Sequence, residues 1–456
     1  MGKWMAAVLA AGKGTRMKSR HPKVLHRVGG VPMVERVLAA ADKAGVTEAA
    51  VIVGFGADEV QAALGDRVTY VLQAEQLGTG HALQLARDAL APADSVLVVC
   101  GDTPLLRAET LRELVATHAA EGAVATVLTT RLTDPTGYGR IVRGEDGRVV
   151  RIVEEKDADD ATKRITEVNT GTYCFRAAAL WEQLARIGCD NAQGEYYLTD
   201  VIGLLVDAGA PVAGVVCADA QETLGVNSRA QLAVAEQVAR ERKLAALMAD
   251  GVTIVNPQTT YVDETVAVGA DTVLEPGTIL RGTTVVGRDC VIGPATELAD
   301  TTVADGAHIH RTYAHECRIG TCAEIGPYVH LRPGTVLADR VKVGNFVEVK
   351  NSVVGDGSKL PHLSYIGDTD MGAHVNIGCG TITVNYNGKI KQRTTVCDGA
   401  FVGCNSNLVA PVTIGAQAYI GAGSTVTKDV PARALAVGRA KTLVKEHWVT
   451  DDTYKK

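Results

Sequence analysis

Hydrophobic residues recur at every sixth position through much of the C-terminal half of the chain. Three uninterrupted series have this spacing: Val262, Val268, Leu274, Leu280, Val286, Ile292 and Leu298, then Ile319, Ile325, Leu331, Leu337, Val343 and Val349, then Val396, Val402, Leu408, Ile414, Ile420 and Val426. This period matches neither an α-helix nor the two-residue alternation of a strand. It is typical of a parallel β-helix, in which each hexapeptide forms one side of a coil and its aliphatic residue points into a shared core. We expect a β-helix over about 252–426.

The N-terminal half has a different pattern, in which short apolar runs alternate with amphipathic stretches. Apolar runs rich in Val and Ala predict strands at 5–9, 49–53, 68–72, 95–99 and 123–128, and the stretches 33–44, 80–90 and 108–120 predict helices. This alternation is typical of a doubly wound, mostly parallel sheet with helices on both faces. Ligands of such Rossmann-like α/β domains bind at the carboxyl ends of the strands.

A long helix is predicted between the two halves. Segment 228–250 begins with Ser228, which can cap a helix, carries periodic Leu, Val and Ala, and is followed by Gly251. We therefore expect an α/β domain at 1–227, a linker helix at 228–250 and a β-helix domain at 251–456. The six-residue period is lost after Pro431, which predicts a tail at 432–456.

Composition and charge exclude several classes of protein. The chain has 46 basic and 52 acidic residues and a net charge of −6, so no nucleic-acid-binding surface is indicated. No apolar stretch approaches the roughly 20 residues of a membrane span. The ten cysteines include no CxxC pair, and we expect reduced thiols in a cytoplasmic protein without nucleic-acid or membrane partners.

A glycine-rich turn follows the first predicted strand and is surrounded by cations. Lys13, Arg16 and Lys23 accompany the turn in the sequence, and with its backbone N–H groups they could hold phosphates. A dinucleotide-binding fingerprint is excluded because Met17 occupies the third glycine position, and a Walker A loop because Gly14 follows the Gly-Lys pair. The alternative of a simple tight turn leaves the three cations unexplained.

A second group of polar residues lies in the β-helix region. The segment 361–365 interrupts the hexapeptide rhythm, which predicts a loop leaving the coil, and it contains His362. A structural role is the usual one for a single histidine, but polar residues concentrate nearby in the sequence: Arg332, Lys350, Tyr365, Asn376, Asn385 and Tyr386. A neutral imidazole can take a proton from an amine that attacks a thioester. Arg332 and Lys350 could bind a sugar phosphate.

Five motifs occur in the order found in a known enzyme family. They are LAAGKGTRM at 9–17 with PKVL at 22–25, QAEQLGTG at 73–80, GDTP at 101–104, GYGR at 137–140 and EEK at 154–156. This set resembles the sugar-1-phosphate nucleotidyltransferases. With the hexapeptide repeats, the whole chain resembles the bifunctional bacterial N-acetylglucosamine-1-phosphate uridyltransferase/glucosamine-1-phosphate acetyltransferases. The resemblance implies a left-handed β-helix, and synthesis of UDP-N-acetylglucosamine for cell-wall and lipopolysaccharide production.

The resemblance assigns roles in the N-terminal half. It implies that the uridine nucleotide contacts Leu9, Ala10, Ala11, Gly12, Gln73, Gly78, Thr79, Cys100 and Gly101. Lys23 would neutralise phosphates, Asp102 and Asn227 would hold Mg²⁺, and Gly139, Glu154 and Asn169 would line the sugar pocket. Asp102 follows a predicted strand, so its carboxylate can reach such a metal, although a turn role before Thr103 and Pro104 is the alternative.

It likewise assigns roles in the C-terminal half. His362 would be the general base, Arg332, Lys350, Tyr365 and Asn376 would bind glucosamine-1-phosphate, and Cys379, Asn385, Tyr386, Cys404, Ala422 and Arg439 would bind acetyl-CoA. Lys391 is a further candidate for a CoA contact, and Glu348 for orienting His362 or the amine. Cys379 and Cys404 stand where related chains often have Ala and Ser, so we expect the acetyl site to be sensitive to alkylation. The resemblance also implies a homotrimer with sites between subunits.

Three alternatives remain open from the sequence. The chain could be a nucleotidyltransferase with a single function and a structural β-helix, which leaves the polar set around His362 without a role. His308, His310 and His315 resemble the zinc ligands of gamma-type carbonic anhydrases, but the six-residue period slips over 299–318, which predicts a surface loop there. A non-enzymatic scaffold leaves the phosphate loop unexplained.

Overall fold

The computed structural model describes residues 2–449 of the chain. The chain divides into two compact units, and the division between Glu241 and Arg242 falls inside the helix Arg229–Ala249. Within the described residues, no helix combines the length and the apolar character needed to cross a membrane. The ten cysteines all lie within these residues and are free thiols.

The N-terminal unit alternates strands and helices. Its strands are β1 (Trp4–Ala10), β2 (Arg27–Val28), β3 (Val31–Pro32), β4 (Ala49–Val53), β5 (Thr69–Leu72), β6 (Ser95–Cys100), β7 (Ala125–Arg131), β8 (Arg140–Arg143), β9 (Val149–Val153), β10 (Glu167–Arg176) and β11 (Val212–Cys217). The helices are α1 (Met33–Lys43), α2 (Ala57–Leu64), α3 (Thr79–Leu85), α4 (Ala108–Ala120), α5 (Asp160–Lys163), α6 (Ala177–Leu184), α7 (Asp200–Asp207) and α8 (Arg229–Ala249), of which α8 continues into the second unit.

The main sheet has the order β11-β7-β10-β6-β1-β4-β5. Strands β6, β1, β4 and β5 are parallel, which confirms the predicted α/β fold. Strand β10 runs antiparallel between β6 and β7, and the antiparallel pair β8 and β9 extends from it, an addition that the sequence pattern did not predict. Ala7 and Val8 are both fully buried on opposite faces of β1, as expected for a sheet covered by helices on both sides.

The second unit is a parallel β-helix. Its strands are β12 (Thr253–Ile254), β13 (Tyr261–Val262), β14 (Ala267–Val268), β15 (Val273–Leu274), β16 (Ile279–Arg281), β17 (Val285–Val286), β18 (Val291–Ile292), β19 (Glu297–Ala299), β20 (Thr302–Val303), β21 (His308–Ile309), β22 (Thr312–His315), β23 (Arg318–Ile319), β24 (Glu324–Ile325), β25 (Val329–Leu331), β26 (Val336–Leu337), β27 (Lys342–Lys350), β28 (Val353–Val354), β29 (Lys359–Gly367), β30 (Thr369–Met371), β31 (Asn376–Ile377), β32 (Ile382–Val384), β33 (Thr394–Val396), β34 (Phe401–Val402), β35 (Asn407–Val409), β36 (Val412–Ile414), β37 (Tyr419–Ile420), β38 (Thr425–Val426) and β39 (Leu435–Ala436).

Each coil stacks in parallel register on the next. Val262 pairs with Leu280 and Leu280 with Leu298, so aliphatic residues of successive coils lie over one another. These side chains belong to one continuous buried cluster that extends from Leu244 to Val430. No single coil could bury such a surface, so stacking is what stabilises each repeat.

Three expectations for this unit are wrong in detail. The stretch 299–318 is not a loop, because β20 to β22 continue the β-helix through a shorter coil in which Leu298 pairs with Ala314. The segment 361–365 lies inside β29. The six-residue period is therefore interrupted there by a long strand rather than by a loop that leaves the coil. The period ends at 431, but β39 still pairs with β37. The last part of the predicted tail, 450–456, lies outside the described residues.

Candidate active sites

A cavity of about 310 Å³ opens at the carboxyl ends of the parallel strands. Strand β1 is central there, because Leu9 pairs with Ile52 of β4 on one side and with Cys100 of β6 on the other. The cavity is lined by the predicted residues Leu9, Ala10, Ala11, Gly12, Lys23, Gln73, Gly78, Thr79, Cys100 and Asp102. Residues from four separate segments of the sequence therefore meet around one space at the edge of the sheet.

The wall formed by the loop after β5 is held by backbone contacts that require glycine. Gln73 is 3% exposed and its Nε2 donates to the carbonyl of Gly78 at 3.0 Å. Gly78 has φ 109°, and a Cβ there would lie 2.6 Å from the Tyr196 carbonyl oxygen. Any side chain at this position would displace the loop, which explains the glycine in the motif.

Two polar residues of the cavity were missed from the sequence. Gln76 lies within the quoted 73–80 motif, and its Nε2 donates to the Gln73 carbonyl at 3.1 Å. Glu195 comes from a segment with no recognisable motif. It reaches the cavity because the neighbouring Tyr196 donates its backbone N–H to Leu77 at 2.8 Å. No local signal in the sequence could have indicated that contact.

Three charged and polar groups converge at one end of the cavity. Lys23 Nζ forms an ion pair with the Asp102 carboxylate and donates to Asn227 Oδ1 at 2.9 Å. Lys23 and Asn227 are 204 residues apart in the sequence. A carboxylate oxygen and an amide oxygen that converge on a cation are the hard donors that Mg²⁺ prefers, so Asp102 and Asn227 fit such an ion.

Buried polar contacts link this cavity to the predicted sugar-binding residues. Gly101 donates its N–H to the Leu9 carbonyl at 2.9 Å, which joins the ends of β1 and β6. The Cys100 thiol lies 3.5 Å from the Gly171 carbonyl, and Gly171 donates to Asn169 Oδ1 at 3.1 Å. Burial, together with the Asp102 carboxylate, raises the pKa of Cys100 to about 12, so its thiol stays protonated near neutral pH.

The three residues predicted to line the sugar pocket lie close together: Gly139, Glu154 and Asn169. Asn169 donates its N–H to the Gly139 carbonyl at 2.8 Å, and a Cβ on Gly139 would lie 3.4 Å from the Glu154 carboxylate. Burial raises the pKa of Glu154, whereas a hydrogen bond from Thr199 at 3.1 Å acts in the opposite direction. Glu154 also lines a second cavity of about 490 Å³ between β9 and α7.

On the β-helix, His362 is exposed on β29 beside a partner from the preceding coil. Asn345 and His362 are paired in the register of β27 and β29, and Asn345 Oδ1 lies 3.2 Å from His362 Nδ1. Asn345 was not predicted from the sequence. Glu348 was a candidate for orienting His362, but it forms an ion pair with Arg332, Oε1 to Nη1, at 2.8 Å instead.

The other predicted sugar-phosphate ligands lie on strands that stack next to His362. Tyr365 pairs with Glu348, and Lys350 pairs with Gly367, in the same two strands. The Tyr365 hydroxyl lies across Gly367, where a Cβ would approach it to 2.5 Å. Asn376 is half-buried at the start of β31, where Lys359 of β29 pairs with it.

The predicted acetyl-CoA ligands follow successive coils along the helix axis. Asn405 donates its N–H to the Cys379 carbonyl at 2.7 Å and Gly423 donates to the Cys404 carbonyl at 2.8 Å, so these turns are stacked. Arg439 Nη1 donates to the Ala422 carbonyl at 2.9 Å. Asn385 and Tyr386 begin the segment 385–393, which leaves the coil between β32 and β33. Asn385 is buried and Tyr386 is exposed.

The three clustered histidines give the zinc alternative no support. His308 and His310 line a cavity of about 240 Å³ together with Glu324 and Lys342. Among residues 2–449, no three His, Cys, Asp or Glu side chains are grouped so that they could hold a metal ion. Lys342 instead forms an ion pair with Glu324 at 2.7 Å.

Comparison with protein families agrees with the two units. Residues 6–253 match the MobA-like NTP transferase domain, which is more than half of the chain. Residues 256–362 match the GMPPB C-terminal domain, and residues 393–428 match the bacterial transferase hexapeptide of six repeats. The chain is therefore a nucleotidyltransferase fused to a hexapeptide-repeat transferase.

Curated relatives extend this match to nearly the full length. The chain is 52% identical to the bifunctional protein GlmU of Brevibacillus brevis, covering 98% of this chain and 97% of that protein. It is 52% identical to the protein of the same name from Halalkalibacterium halodurans, with 99% of both chains covered, and 53% identical to that from Heliobacterium modesticaldum, with 98% of both covered. A single-function enzyme with a structural β-helix is not favoured by these relatives. The chain belongs to the GlmU family of bifunctional proteins.

Proposed function

We propose that this bifunctional transferase carries out its two reactions at two separate sites. The β-helix acetylates glucosamine-1-phosphate with acetyl-CoA. The edge of the parallel sheet then transfers UMP from UTP to N-acetylglucosamine-1-phosphate, giving UDP-N-acetylglucosamine and pyrophosphate. The observation that carries the first assignment is the contact between His362 Nδ1 and Asn345 Oδ1.

That contact supports Nε2 as the ring nitrogen of His362 that acts as the base. An amide oxygen can only accept, so Nδ1 carries the proton and donates to Asn345, and the lone pair of Nε2 is left for the substrate. Nε2 takes a proton from the amine of glucosamine-1-phosphate as that nitrogen attacks the thioester carbonyl. The C–N bond forms, the C–S bond breaks and the CoA thiolate leaves, so no covalent acyl-enzyme is needed.

The sugar phosphate is held by Arg332, Lys350, Tyr365 and Asn376. Arg332 uses Nη1 for Glu348, which orients its guanidinium and leaves further N–H donors for phosphate oxygens. Acetyl-CoA lies along the stacked turns and the excursion, against Cys379, Asn385, Tyr386, Cys404, Ala422 and Arg439. We assign Lys391, in the same excursion, to the CoA phosphates.

At the sheet edge, catalysis is by positioning and charge. Leu9, Ala10, Ala11, Gly12, Gln73, Gly78, Thr79, Cys100 and Gly101 hold the uridine nucleotide, and Gly139, Glu154 and Asn169 hold the sugar. An oxygen of the sugar phosphate attacks the α-phosphate of UTP and pyrophosphate leaves. Lys23 and the exposed Arg16 stabilise the charge on the phosphates. Asp102 and Asn227 would hold Mg²⁺, which supplies further neutralisation of that charge when bound.

We further propose that the protein acts as a homotrimer in the cytoplasm, where both co-substrates are available. Tyr328, Phe346 and Leu363 are 54%, 57% and 59% exposed at equivalent turns of successive coils, and the first two rings stack at 5.4 Å. An apolar stripe of this kind next to His362 is suited to burial against another copy of the chain.

Phe346→Asp is expected to lower both the sedimentation coefficient of the protein and its rate of acetyl transfer. A trimer that persists with full activity would contradict the placement of this interface.

The assignment of function is tested by supplying one substrate pair at a time. Purified protein is mixed with acetyl-CoA and glucosamine-1-phosphate without UTP, and free CoA thiol is measured. Release that requires the amino sugar phosphate is expected. With UTP, Mg²⁺ and N-acetylglucosamine-1-phosphate, pyrophosphate release is expected without acetyl-CoA. Failure of the first reaction in folded protein would leave only the nucleotidyltransferase assignment.

A further inference from the structure

A buried carboxylate next to the proposed acetyl site has no part in the mechanism above. Asp368 is 5% exposed and has φ 48° at a corner between β29 and β30. Equivalent corners of preceding coils also have positive φ: Asp300 at 48°, Glu316 at 51°, Gly334 at 79° and Asn351 at 45°. Left-handed backbone of this kind favours Gly, Asn and Asp. The backbone alone would thus accept several residues at position 368, so the buried charge needs another explanation.

Both carboxylate oxygens of Asp368 are occupied by groups from two separate parts of the chain, the end of β27 and the excursion 385–393. Oδ1 accepts from Asn351 Nδ2 at 2.5 Å, and Oδ2 accepts a hydrogen bond from Asn385 Nδ2. The ammonium of Lys350, which is mostly buried, lies 3.8 Å from Oδ2. Asp368 thereby joins the end of β27 to the first residue of the excursion 385–393.

Two of these partners belong to different substrates in the proposed function. Lys350 is assigned to glucosamine-1-phosphate and Asn385 to acetyl-CoA. Lys391 of the excursion lies close enough to Lys350 that the second ammonium lowers the pKa of Lys391, an effect that the Asp368 carboxylate opposes. Without Asp368, the repulsion between the two lysines would no longer be offset by a carboxylate, and the Asn385 amide would lose its acceptor.

The carboxylate is ionised in this position. Burial acts to raise the pKa of Asp368, but the hydrogen bonds from Asn351 and Asn385 and the charge of Lys350 outweigh it, so the pKa is lowered. A buried charge that is paired and fully hydrogen-bonded fixes the geometry of its partners more firmly than a neutral side chain would.

We propose that Asp368 is a positioning residue that holds Lys350 and Asn385 in one arrangement and so couples the sugar-phosphate and acetyl-CoA sites. Asp368 touches neither substrate and acts through these two side chains. This inference rests on the proposed acetyltransferase function and goes beyond it, because it assigns a residue that joins the two half-sites.

The test is the kinetics of acetyl transfer by Asp368→Asn. The substitution keeps shape and tolerance of positive φ but removes the charge and one acceptor. We expect KM for glucosamine-1-phosphate and KM for acetyl-CoA each to rise on the order of tenfold, with kcat changed less. Uridyl transfer should remain within about twofold, as a control for folding. Asp300→Asn is the matched control, since it makes the same change at an equivalent corner away from the site, and its KM values should stay at wild-type levels.

A double-mutant cycle separates positioning from a general structural effect. If Asp368 acts through Lys350, then Asp368→Asn should raise KM for glucosamine-1-phosphate much less in a Lys350→Met background than in the wild type. In the same way, Asp368→Asn should raise KM for acetyl-CoA much less in an Asn385→Ala background than in the wild type. Effects that simply add would overturn the proposal, as would unchanged KM values in Asp368→Asn.

Two further outcomes can be distinguished from a failure of the positioning role: a variant that does not fold, and a wild-type protein without acetyltransferase activity. If Asp368→Asn does not fold, Asn351→Gly carries the test, because it removes the hydrogen bond to Oδ1 from a residue outside the substrate contacts and still tolerates the φ of 45° at this position. Its KM values should rise by a smaller factor, about threefold, and wild-type values would overturn the proposal. If the wild-type protein itself releases no CoA, the proposed function has failed rather than the positioning role.

Discussion

The two units build their sites in different ways. In the N-terminal unit, loops from distant parts of the sequence meet at the edge of one sheet and enclose a cavity, so that Lys23 contacts Asn227 across 204 residues. In the β-helix, the proposed functional side chains lie along an open side of stacked coils, where His362 and its partner Asn345 are 17 residues apart.

This difference follows from the geometry of the two folds. A parallel sheet turns every strand end toward the same edge, so one chain can surround a nucleotide. A β-helix repeats one coil, so its site can only extend along the axis, and its outer side remains open. The sheet cavity is thus enclosed by one chain, whereas in the proposed homotrimer a neighbouring copy would cover the open side of the β-helix.

The largest expected effect is on acetyl transfer alone, and it comes from a substitution of His362. His362→Ala removes the proposed base, and acetyl transfer should fall by on the order of 10³-fold because the amine proton then has no acceptor. Uridyl transfer should stay within about twofold, since the sheet site shares no residue with the β-helix site. Both rates are measured on one preparation, as CoA and pyrophosphate release. Parallel loss of both activities would mean that the two sites are not independent.

Asp102→Asn is the reciprocal change. It keeps the size of the side chain but removes the charge that pairs with Lys23. Uridyl transfer should fall about 10²-fold, with a higher requirement for Mg²⁺, while acetyl transfer is unchanged. The measurement is pyrophosphate release as a function of Mg²⁺ concentration. A wild-type Mg²⁺ titration in the variant would rule out a metal-binding role for Asp102.

Thiol chemistry should distinguish the enclosed site from the open one. Cys404 is exposed among the proposed acetyl-CoA ligands, whereas burial and Asp102 hold the Cys100 thiol protonated. Iodoacetamide at neutral pH should therefore lower acetyl transfer more than tenfold and leave uridyl transfer near its starting value. Cys404→Ser is the control and should be resistant if Cys404 is the target. Undiminished acetyl transfer after alkylation would refute the sensitivity predicted from the two cysteines.

A smaller effect is expected from the partner of the base. Asn345→Ala removes the acceptor for His362 Nδ1–H, and kcat for acetyl transfer should fall about tenfold because both ring orientation and tautomer are then less defined. The control is Asn407→Ala, a half-buried asparagine on β35 of the same unit. Equal kcat values for wild type and Asn345→Ala would show that the neighbouring coil does not orient the base.

The last expected effect concerns stability and is confined to the N-terminal unit. His118 is 3% exposed, and burial, with a contribution from Arg176, lowers its pKa to about 4. Between pH 6.5 and 4 the unfolded chain binds a proton that the folded chain does not. The free energy of unfolding should therefore decrease as the pH falls through this range, by about 2–3 kcal/mol.

This pH dependence can be followed by urea unfolding monitored through helical circular dichroism, which reports on the N-terminal unit and α8. His118→Gln should reduce the dependence on pH, whereas His308→Gln on the exposed side of the β-helix should not. Equal slopes for wild type and His118→Gln would show that this histidine does not limit stability in acid.

Much of the fold was accessible from local patterns. The six-residue period placed Leu280 and Leu298 in the core of the coils, and the apolar runs identified β1, β4 and β6 almost to the residue. The motif residues that follow these strands lie in the cavity at the sheet edge, because parallel strands end on the same side. Glu195 could not be predicted, since the contact between Tyr196 and Leu77 that brings it there is long-range.

In the β-helix, the sequence by itself determined which residues point inward, because that depends only on a local period. Only the tertiary structure decided which outward residues meet. Coils here differ in length, and the excursion at 385–393 lengthens one of them, so the register of neighbouring coils does not follow from the period. Asn345 beside His362, and Asp368 between Lys350 and Asn385, are contacts between coils. Such contacts depend on the stacking of whole coils, which no local stretch of sequence encodes.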